Sequence, residues 1–326
     1  MYQGSKVVIT GAAGVYGRWI TQAFAREGAT LCLSDGRRDA LDRLAADLGL
    51  GADRVLLHPA ELTSEASIEG LVAAVKDAWD APDVVVNSAG IYPFADLLDT
   101  STELFDTIMA VNVRAPFLLC RGFARLMIAA GVKGSMVNIG SGAARSLRAG
   151  GIPYCVSKGA LDRLSKGFAL ELAAHGIRVN EVEPGFSSRS ESAVFPEGYV
   201  ETLRGSIPLG RESGPDDAAN AVLFLCSDKA AYITGTSVAV DGGNSIGRRP
   251  ATAGESRSQT RIAPSGPPVI ASRPSDESVS ARTWPASPPI VTGSQRRDCR
   301  TRWPPPAPAP AFLARCREPT APACRR

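Results

Sequence analysis

Lys6-Val7-Val8-Ile9-Thr10-Gly11-Ala12-Ala13-Gly14-Val15-Tyr16-Gly17 is the first patterned stretch of the chain. Val7, Val8 and Ile9 make the short apolar run expected of a strand buried on both faces. Glycines follow at 11, 14 and 17, and a helical apolar pattern then runs through Phe24 to Gly28. A strand, a glycine-rich turn and a helix in that order form the phosphate-binding unit of a dinucleotide fold. Glycines let the backbone approach a pyrophosphate, and the helix N-terminus favours its negative charge. Three glycines could also serve a tight turn alone; their place between a strand and a helix selects nucleotide binding.

The alternation continues outward. Thr30 to Ser34 is a second strand, ending at Asp35, which lies 18 residues after Gly17. An acid at the end of this strand accepts hydrogen bonds from a ribose 2′-hydroxyl and repels a 2′-phosphate, which favours NAD(H). Arg37 and Arg38 follow; facing the ribose they would take the phosphate and leave NADP(H) open, and facing solvent they would not. A helix near Asp39 to Leu48 leads to a third strand at Arg54 to His58 and then to Glu61-Leu62-Thr63, where an acid could meet the adenine amino group. Ser64 is an N-cap for a helix through Leu71, Val72 and Val75. Asp83 to Val86 is a fourth strand, ending in the small residues Asn87-Ser88-Ala89-Gly90. Two helical patterns over 101–130 and a strand at Ser135 to Ile139 follow. Beyond a helix to about Ala174 come a strand at Ile177 to Val182, a break at Pro184-Gly185, a polar loop over 186–213 with a short helix near Tyr199 to Leu203, a helix from Asp216 to Cys226, and a last strand at Thr236 to Val240. This alternation predicts an α/β fold, a Rossmann-type doubly wound parallel sheet in three layers.

The reactive groups lie in the second half. Tyr154 and Lys158 are four apart on a pattern (Leu161, Leu164, Phe168, Leu172) with helical spacing. A phenol and an ammonium would therefore project from one face. An ammonium favours the phenolate and lowers a phenol pKa that starts near ~10, so that the tyrosine can exchange a proton near neutrality. Ser141 follows the fifth strand and could hydrogen-bond the same substrate oxygen. The bland alternative is a surface Tyr and Lys on an amphipathic helix. Asn112 is polar within an apolar face (Val111, Val113, Phe117, Leu118), the usual position of an asparagine that satisfies a buried backbone group.

Composition bounds the rest. The net charge of +3 over 326 residues conceals a split. Residues 1–247 sum to −6, whereas residues 248–326 carry 14 Arg, no Lys and 5 Asp and Glu, and hold fifteen of the 24 prolines. A segment so poor in large aliphatic residues cannot offset its chain entropy, so residues 248–326 are expected to be disordered, with Trp303-Pro304-Pro305-Pro306 suited to polyproline II. Its arginines carry no specific nucleic-acid signal. Cys32, Cys120, Cys155 and Cys226 sit in apolar runs and read as reduced core residues. No cysteine pair has metal-ligand spacing and there are only two histidines, so no metal site is expected. Met1-Tyr2-Gln3-Gly4-Ser5 lacks signal-peptide character, and no apolar run approaches ~20 residues, so a cytoplasmic protein without a membrane span is expected.

Together, in order, the turn at 11–17, Asn87-Ser88-Ala89-Gly90, Asn112, Ser141, Tyr154, Lys158, Pro184-Gly185 and Gly235-Thr236 through Asp241-Gly242-Gly243 resemble the compact, single-domain branch of the short-chain dehydrogenases/reductases. The resemblance covers residues 1 to about 247, taken as the catalytic domain. It implies that Tyr154 is the general acid or base at the substrate oxygen, that Lys158 lowers its pKa and holds the nicotinamide ribose, and that Ser141 polarises the substrate oxygen. It implies that Asn112 holds a water linking Lys158 to solvent. Gly11, Gly14, Val15, Tyr16, Gly17, Asp35, Glu61, Leu62, Asn87, Ala89, Gly90, Pro184 and Gly185 would join Tyr154 and Lys158 in holding the cofactor. It further implies a homo-tetramer or homo-dimer built in part on the helices at 101–130 and 153–174.

Four departures stand out. Thr10-Gly11-x-x-Gly14-x-x-Gly17 puts Val15 where the branch has its second glycine, a spacing that resembles the extended branch of nucleotide-sugar epimerases and dehydratases. Glu61 replaces an Asp. After Pro184-Gly185 the chain reads Phe186-Ser187-Ser188-Arg189, with Ser188 as the substitute for a carboxamide-binding threonine. Glu181 occupies a strand position usually held by a small residue, and Arg178 points to the opposite face. The expected activity is hydride transfer between NAD(H) and a secondary alcohol or ketone, such as a 3-oxoacyl thioester, a sugar, a polyol or a steroid-like molecule. Arg145, Arg148 and Arg189 could favour an anionic substrate or be solvated, and Tyr92 could line the pocket. The rivals are an epimerase or dehydratase and a non-catalytic NAD-binding regulatory module.

Overall fold

The protein, seen here as a computed structural model, is described over residues 1–189 and 199–247. The expected tail at 248–326 and the loop centre at 190–198 lie outside the described residues. Seven parallel strands form one sheet in the order β3-β2-β1-β4-β5-β6-β7. They are β1 (Lys6–Thr10), β2 (Thr30–Ser34), β3 (Val55–Leu57), β4 (Val84–Asn87), β5 (Ser135–Ile139), β6 (Arg178–Pro184) and β7 (Ser237–Val240). The helices are α1 (Val15–Arg26), α2 (Arg38–Asp47), α3 (Glu65–Trp79), α4 (Thr102–Met109), α5 (Ala115–Ala130), α6 (Ile152–Leu172), α7 (Tyr199–Ser206) and α8 (Asp217–Cys226).

Successive side chains of a strand face opposite layers, and each strand is apolar on both. Val7, Ile9, Leu31, Leu33, Val84, Val86 and Val137 pack with Ile20 and Phe24 of α1, Leu41 and Leu44 of α2, and Val222 of α8. Val8, Val85, Met136 and Val179 pack with Ile68 and Leu71 of α3, Leu119 and Phe123 of α5, and Leu172 of α6. The expected doubly wound, three-layer architecture is therefore present. The Ser64 hydroxyl accepts from Ser67 N at 3.3 Å, capping α3 as its position in the sequence implies.

Two local features differ from the periodicity. The two patterns between 101 and 130 form one rod, because a π-turn at Ala110–Arg114 joins α4 to α5. Such turns widen a helix by one residue and recur at functional sites; this one carries Asn112. The second difference is a polar row on the α6 side of the sheet. Thr10, Asn87, Asn138, Glu181 and Ser237 are register partners across β1, β4, β5, β6 and β7. That row lies two residues beyond the apolar row Val8, Val85, Met136 and Val179, and in β1 and β4 it closes the carboxyl end of the strand. Among the described residues no helix is long and apolar enough to cross a membrane, and the four cysteines there are free and buried.

Candidate active site

Sheet order reverses between β1 and β4, and in open α/β sheets ligands bind beyond the carboxyl ends of the strands at such a point. The turn after β1 and the loop after β4 meet there. Gly11 has φ +63, and a Cβ on it would lie 2.6 Å from the backbone of Ala89. A Cβ on Gly17 would lie 1.9 Å from the Gly11 carbonyl oxygen. Gly14, by contrast, meets only that oxygen, at 3.3 Å. Two of the three glycines are thus demanded by close backbone approach, while Val15 simply begins α1. Tyr16 donates from its hydroxyl to Gly185 O at 2.7 Å, tying the first turn to the Pro184-Gly185 segment after β6.

Asp35 stands at the end of β2. One carboxylate oxygen accepts from Ala13 N in the glycine turn at 3.2 Å; the other accepts from Arg37 N at 3.2 Å and Arg37 Nε at 3.4 Å. Arg38 is engaged with Asp42 at 3.0 and 3.1 Å. Glu61 is exposed and accepts from Thr63 N and Oγ1, both at 3.0 Å, while Leu62 packs at the edge of the α3–α5 core. Asn87 is buried and donates to Asn138 Oδ1 at 2.8 Å, but its own Oδ1 has no protein partner. Ser188 donates both its N–H and its hydroxyl to Glu212, at 2.8 and 2.7 Å. Bare backbone at 11 and 17, an orphaned amide oxygen at 87 and a carboxylate beyond β2 are what a dinucleotide needs, and the residues present fit one.

The reactive set lies beside this cleft. Pro153 near the start of α6 suits a helix's first turn, and Tyr154 and Lys158 follow on one face. Lys158 is buried; its Nζ donates to Ile139 O at 2.8 Å and lies 5.7 Å from the Tyr154 ring centroid. Ser141, in extended backbone just after β5, accepts from Ala143 N at 3.2 Å, and its hydroxyl acts on the Tyr154 phenol. The Tyr92 ring is 5.9 Å from that of Tyr154, so it lines the same space. Asn112, fully buried, accepts from Ile91 N at 2.9 Å and donates to Ile91 O at 2.8 Å and Ser157 Oγ at 3.0 Å. Ser157 in turn donates to the Tyr154 carbonyl at 2.7 Å. The π-turn asparagine therefore clamps the strand-end loop to the first turns of α6. A Cβ on Gly90 would meet Asn112 Oδ1 at 3.4 Å and Lys158 Nζ at 3.5 Å.

The electrostatics differ from the simple expectation of a phenol acidified by its lysine. Burial pushes the Tyr154 phenol up to about 12, with the Ser141 hydroxyl pulling the other way. Burial likewise pulls the Lys158 ammonium down, and Glu181 opposes that fall. The ammonium that should favour a phenolate is thus itself held below its ordinary value by its own burial.

The three loop arginines have separate fates. Arg148 is exposed. Arg189 lies over the Trp19 ring at 6.0 Å. Arg145 is neither free nor aimed at substrate: it forms a two-point ion pair with the buried carboxylate of Glu183, one contact being Nη1 to Oε1 at 3.1 Å. This pair fastens the loop after Ser141 to the end of β6. Arg145→Ala should destabilise the fold by roughly 1–3 kcal/mol, less than a fully buried pair because the guanidinium is half exposed. Burial raises the Glu183 carboxyl, so its share of stability is present when it is protonated and lost as pH rises. Without Arg145 that penalty grows, and thermal melts should show a larger deficit at pH 8 than at pH 5.

Comparisons with known proteins agree with this geometry. A family profile described as Enoyl-(Acyl carrier protein) reductase matches residues 11–245. Galactitol 2-dehydrogenase (L-tagatose-forming) of Cereibacter sphaeroides is 38% identical over 248 residues, covering 74% of this chain and 96% of that protein. The 3-oxoacyl-[acyl-carrier-protein] reductase of Thermotoga maritima is 34% identical over 241 residues, covering 74% and 98%. A short-chain type dehydrogenase/reductase from Mycobacterium marinum superposes with a TM-score of 0.70 at 31% identity, over 74% of this chain and 96% of that one. With the glycine turn, the Ser–Tyr–Lys set and these matches in place, the chain belongs to the short-chain dehydrogenase/reductase family.

Proposed function

We propose that the protein transfers a hydride between NAD(H) and a secondary alcohol or ketone on a small molecule, with Tyr154 exchanging the substrate-oxygen proton. The observation that carries this reading is the convergence of Ser141, Tyr154 and Lys158 beside the glycine turn, because binding a dinucleotide alone has no need of a phenol there. The cofactor supplies the hydride chemistry; the chain supplies position and proton transfer. Gly11, Gly14, Val15, Tyr16 and Gly17 would hold the pyrophosphate, Asp35 the adenosine ribose, Glu61 and Leu62 the adenine side, and Asn87, Ala89 and Gly90 the floor of the cleft. Lys158 would hold the nicotinamide ribose, with Pro184, Gly185 and Ser188 near the carboxamide. Ser141 would hold the substrate oxygen against Tyr154.

Two relatives bracket the substrate, one named for a sugar alcohol and one for an acyl-carrier thioester. A screen of polyols and 3-oxoacyl thioesters with both cofactors tests the reading, and no turnover in either class would sink it. Asp35 supports NAD(H) over NADP(H): its carboxylate is held in place by Ala13 N and Arg37, and Arg38 is occupied by Asp42. Fluorescence titration should show tighter binding of NADH than NADPH. Asp35→Ser should narrow that preference by about tenfold, since it removes the repulsion of the 2′-phosphate. Tighter NADPH binding by the parent would overturn the assignment.

Self-association through α4, α5 and α6 accompanies this reading. Phe105, Phe117, Ile128 and Leu170 are large apolar residues exposed on those helices, Leu170 at 81%. Such side chains suit burial against a second copy, and light scattering on the purified chain would return a dimer or tetramer mass.

A further inference from the structure

Three carboxylates gather behind α6. Asp162, Glu181 and Glu183 have oxygens within 4.8 Å of one another. That grouping could suggest a cation site, but the cations are already in place. Asp162 accepts from Lys166 Nζ at 2.5 Å and from Ser237 Oγ at 2.6 Å. Glu183 is paired with Arg145. What remains is one carboxylate, Glu181, and one buried ammonium, Lys158.

Their heads flank the same peptide. Lys158 Nζ donates to Ile139 O, the carbonyl just before Gly140. The Glu181 carboxyl fills the volume a side chain at 140 would need: a Cβ there would lie 1.9 Å from Glu181 Oε1, 2.5 Å from Cδ and 2.7 Å from Cγ. Glu181 is fully buried. Its Oε2 accepts from Ser165 Oγ at 3.1 Å, and its Oε1 has no hydrogen-bond partner. Ser165 also accepts from Asn138 Nδ2 at 2.8 Å, which fixes the ladder from β5 to the carboxylate. Among the described residues, the charged groups acting on Glu181 include Lys158 and Asp162 from α6 and Glu183 from β6, with Lys166 paired to Asp162 and Arg145 paired to Glu183. Lys158 makes no direct ion pair with a carboxylate there; Glu181 acts on it across the Ile139–Gly140 peptide.

We propose that Glu181 is the buried counter-charge of Lys158, a positioning residue that keeps the ammonium in place and protonated behind Tyr154. A buried ion costs several kcal/mol of desolvation unless an opposite charge stands by it. Burial raises the Glu181 carboxyl and lowers the Lys158 ammonium, and each group opposes the shift of the other. Glu181 acts through Lys158 and touches neither substrate nor cofactor. The catalytic part of this inference rests on the hydride-transfer reading above; the pairing itself does not.

The test is therefore double. Glu181→Gln keeps shape and the Ser165 hydrogen bond but removes the charge. In the reductive direction, the loss of activity at high pH should move at least about one pH unit lower in this variant, because an unpaired buried ammonium gives up its proton more readily. Glu181→Asp should recover part of the shift. A profile that coincides with the parent's would overturn the positioning role, since a purely structural carboxylate would alter stability without moving it.

The second arm needs no substrate. Unfolding of the parent, Glu181→Gln, Lys158→Met and the double variant closes a cycle. The double variant should unfold less readily than the two single effects predict, by about tenfold or more in the unfolding constant. Additive effects would overturn the pairing. If the parent turned over no substrate in the screen, the functional reading would fall while this cycle still decided whether the two charges are partners.

Discussion

Tyr154→Phe should lower kcat by roughly 10²–10⁴-fold, the range expected when a positioned general acid or base is removed, and leave the affinity for NADH nearly unchanged. The substitution deletes one hydroxyl. The ring keeps its packing 5.9 Å from Tyr92, and Lys158 keeps its bond to Ile139 O. Ser141 keeps its bond from Ala143 N. Binding and fold should therefore survive while proton transfer does not. Titration of NADH with the variant, beside single-turnover rates, separates the two. The pH dependence is equally specific. Burial holds the phenol up near 12, so it stays protonated across the neutral range and its phenolate is scarce. Reduction of a ketone should be nearly flat with pH around neutrality, and oxidation of the alcohol should climb with pH until Lys158 loses its proton. A Tyr154→Phe enzyme retaining more than about a tenth of the parent rate would remove Tyr154 from the proton transfer, whereas a variant with an unchanged cellular phenotype would favour a non-catalytic NAD-binding module.

The ease of reading this chain from its sequence varied with the range of the interactions. The sheet and its layers were legible because Val7 to Ile9, Val84 to Val86 and Met136 to Val137 are short runs apolar on both faces, separated by helical spacing. Tyr154 and Lys158 were legible because four residues on a helix make one face. Asn112 was visible as a polar break in an apolar face, and its bonds to both backbone groups of Ile91 are what such a break usually signifies. The π-turn that aims it was not visible, since insertion of one residue leaves both flanking patterns intact. Glu181 had no partner within reach in sequence, and Arg178 indeed faces the other way, donating to the carbonyls of Leu225 and Ile233. Its setting depends on the register of β5 and β6, the bare Gly140 and a helix some twenty residues upstream, none of which a local pattern encodes. The same holds for Arg145, whose partner is brought to it by strand β6.

Gly17→Ala should be among the most damaging single-methyl changes available in this chain, and Gly14→Ala one of the mildest. At Gly17 the new Cβ would sit 1.9 Å from the Gly11 carbonyl oxygen, 2.7 Å from its carbon and 2.9 Å from the Ala12 Cα. All three are backbone atoms of the turn itself, so no rotamer change relieves the overlap; α1 must move away from β1. Close-packed interiors resist such shifts, and overpacking of this kind costs about 1–3 kcal/mol or more. Because α1 also carries Ile20 and Phe24 into the core, the movement spreads to their contacts. The helix N-terminus that would face the pyrophosphate moves with it, so NADH affinity should fall by about 100-fold or more, beyond what the loss of stability alone would produce. At Gly14 the new Cβ would meet one atom, at 3.3 Å, and φ there is −72°, which any residue adopts. A shift of a few tenths of an ångström suffices, and both melting temperature and NADH affinity should stay near the parent values. The contrast bears on how the turn is classified. The glycine that makes this spacing resemble the epimerase and dehydratase branch is the one the backbone does not require, while Gly11 and Gly17 do the geometric work. If Gly14→Ala abolished cofactor binding and Gly17→Ala were tolerated, the turn would hold its dinucleotide in another way, and the epimerase or dehydratase reading would come forward.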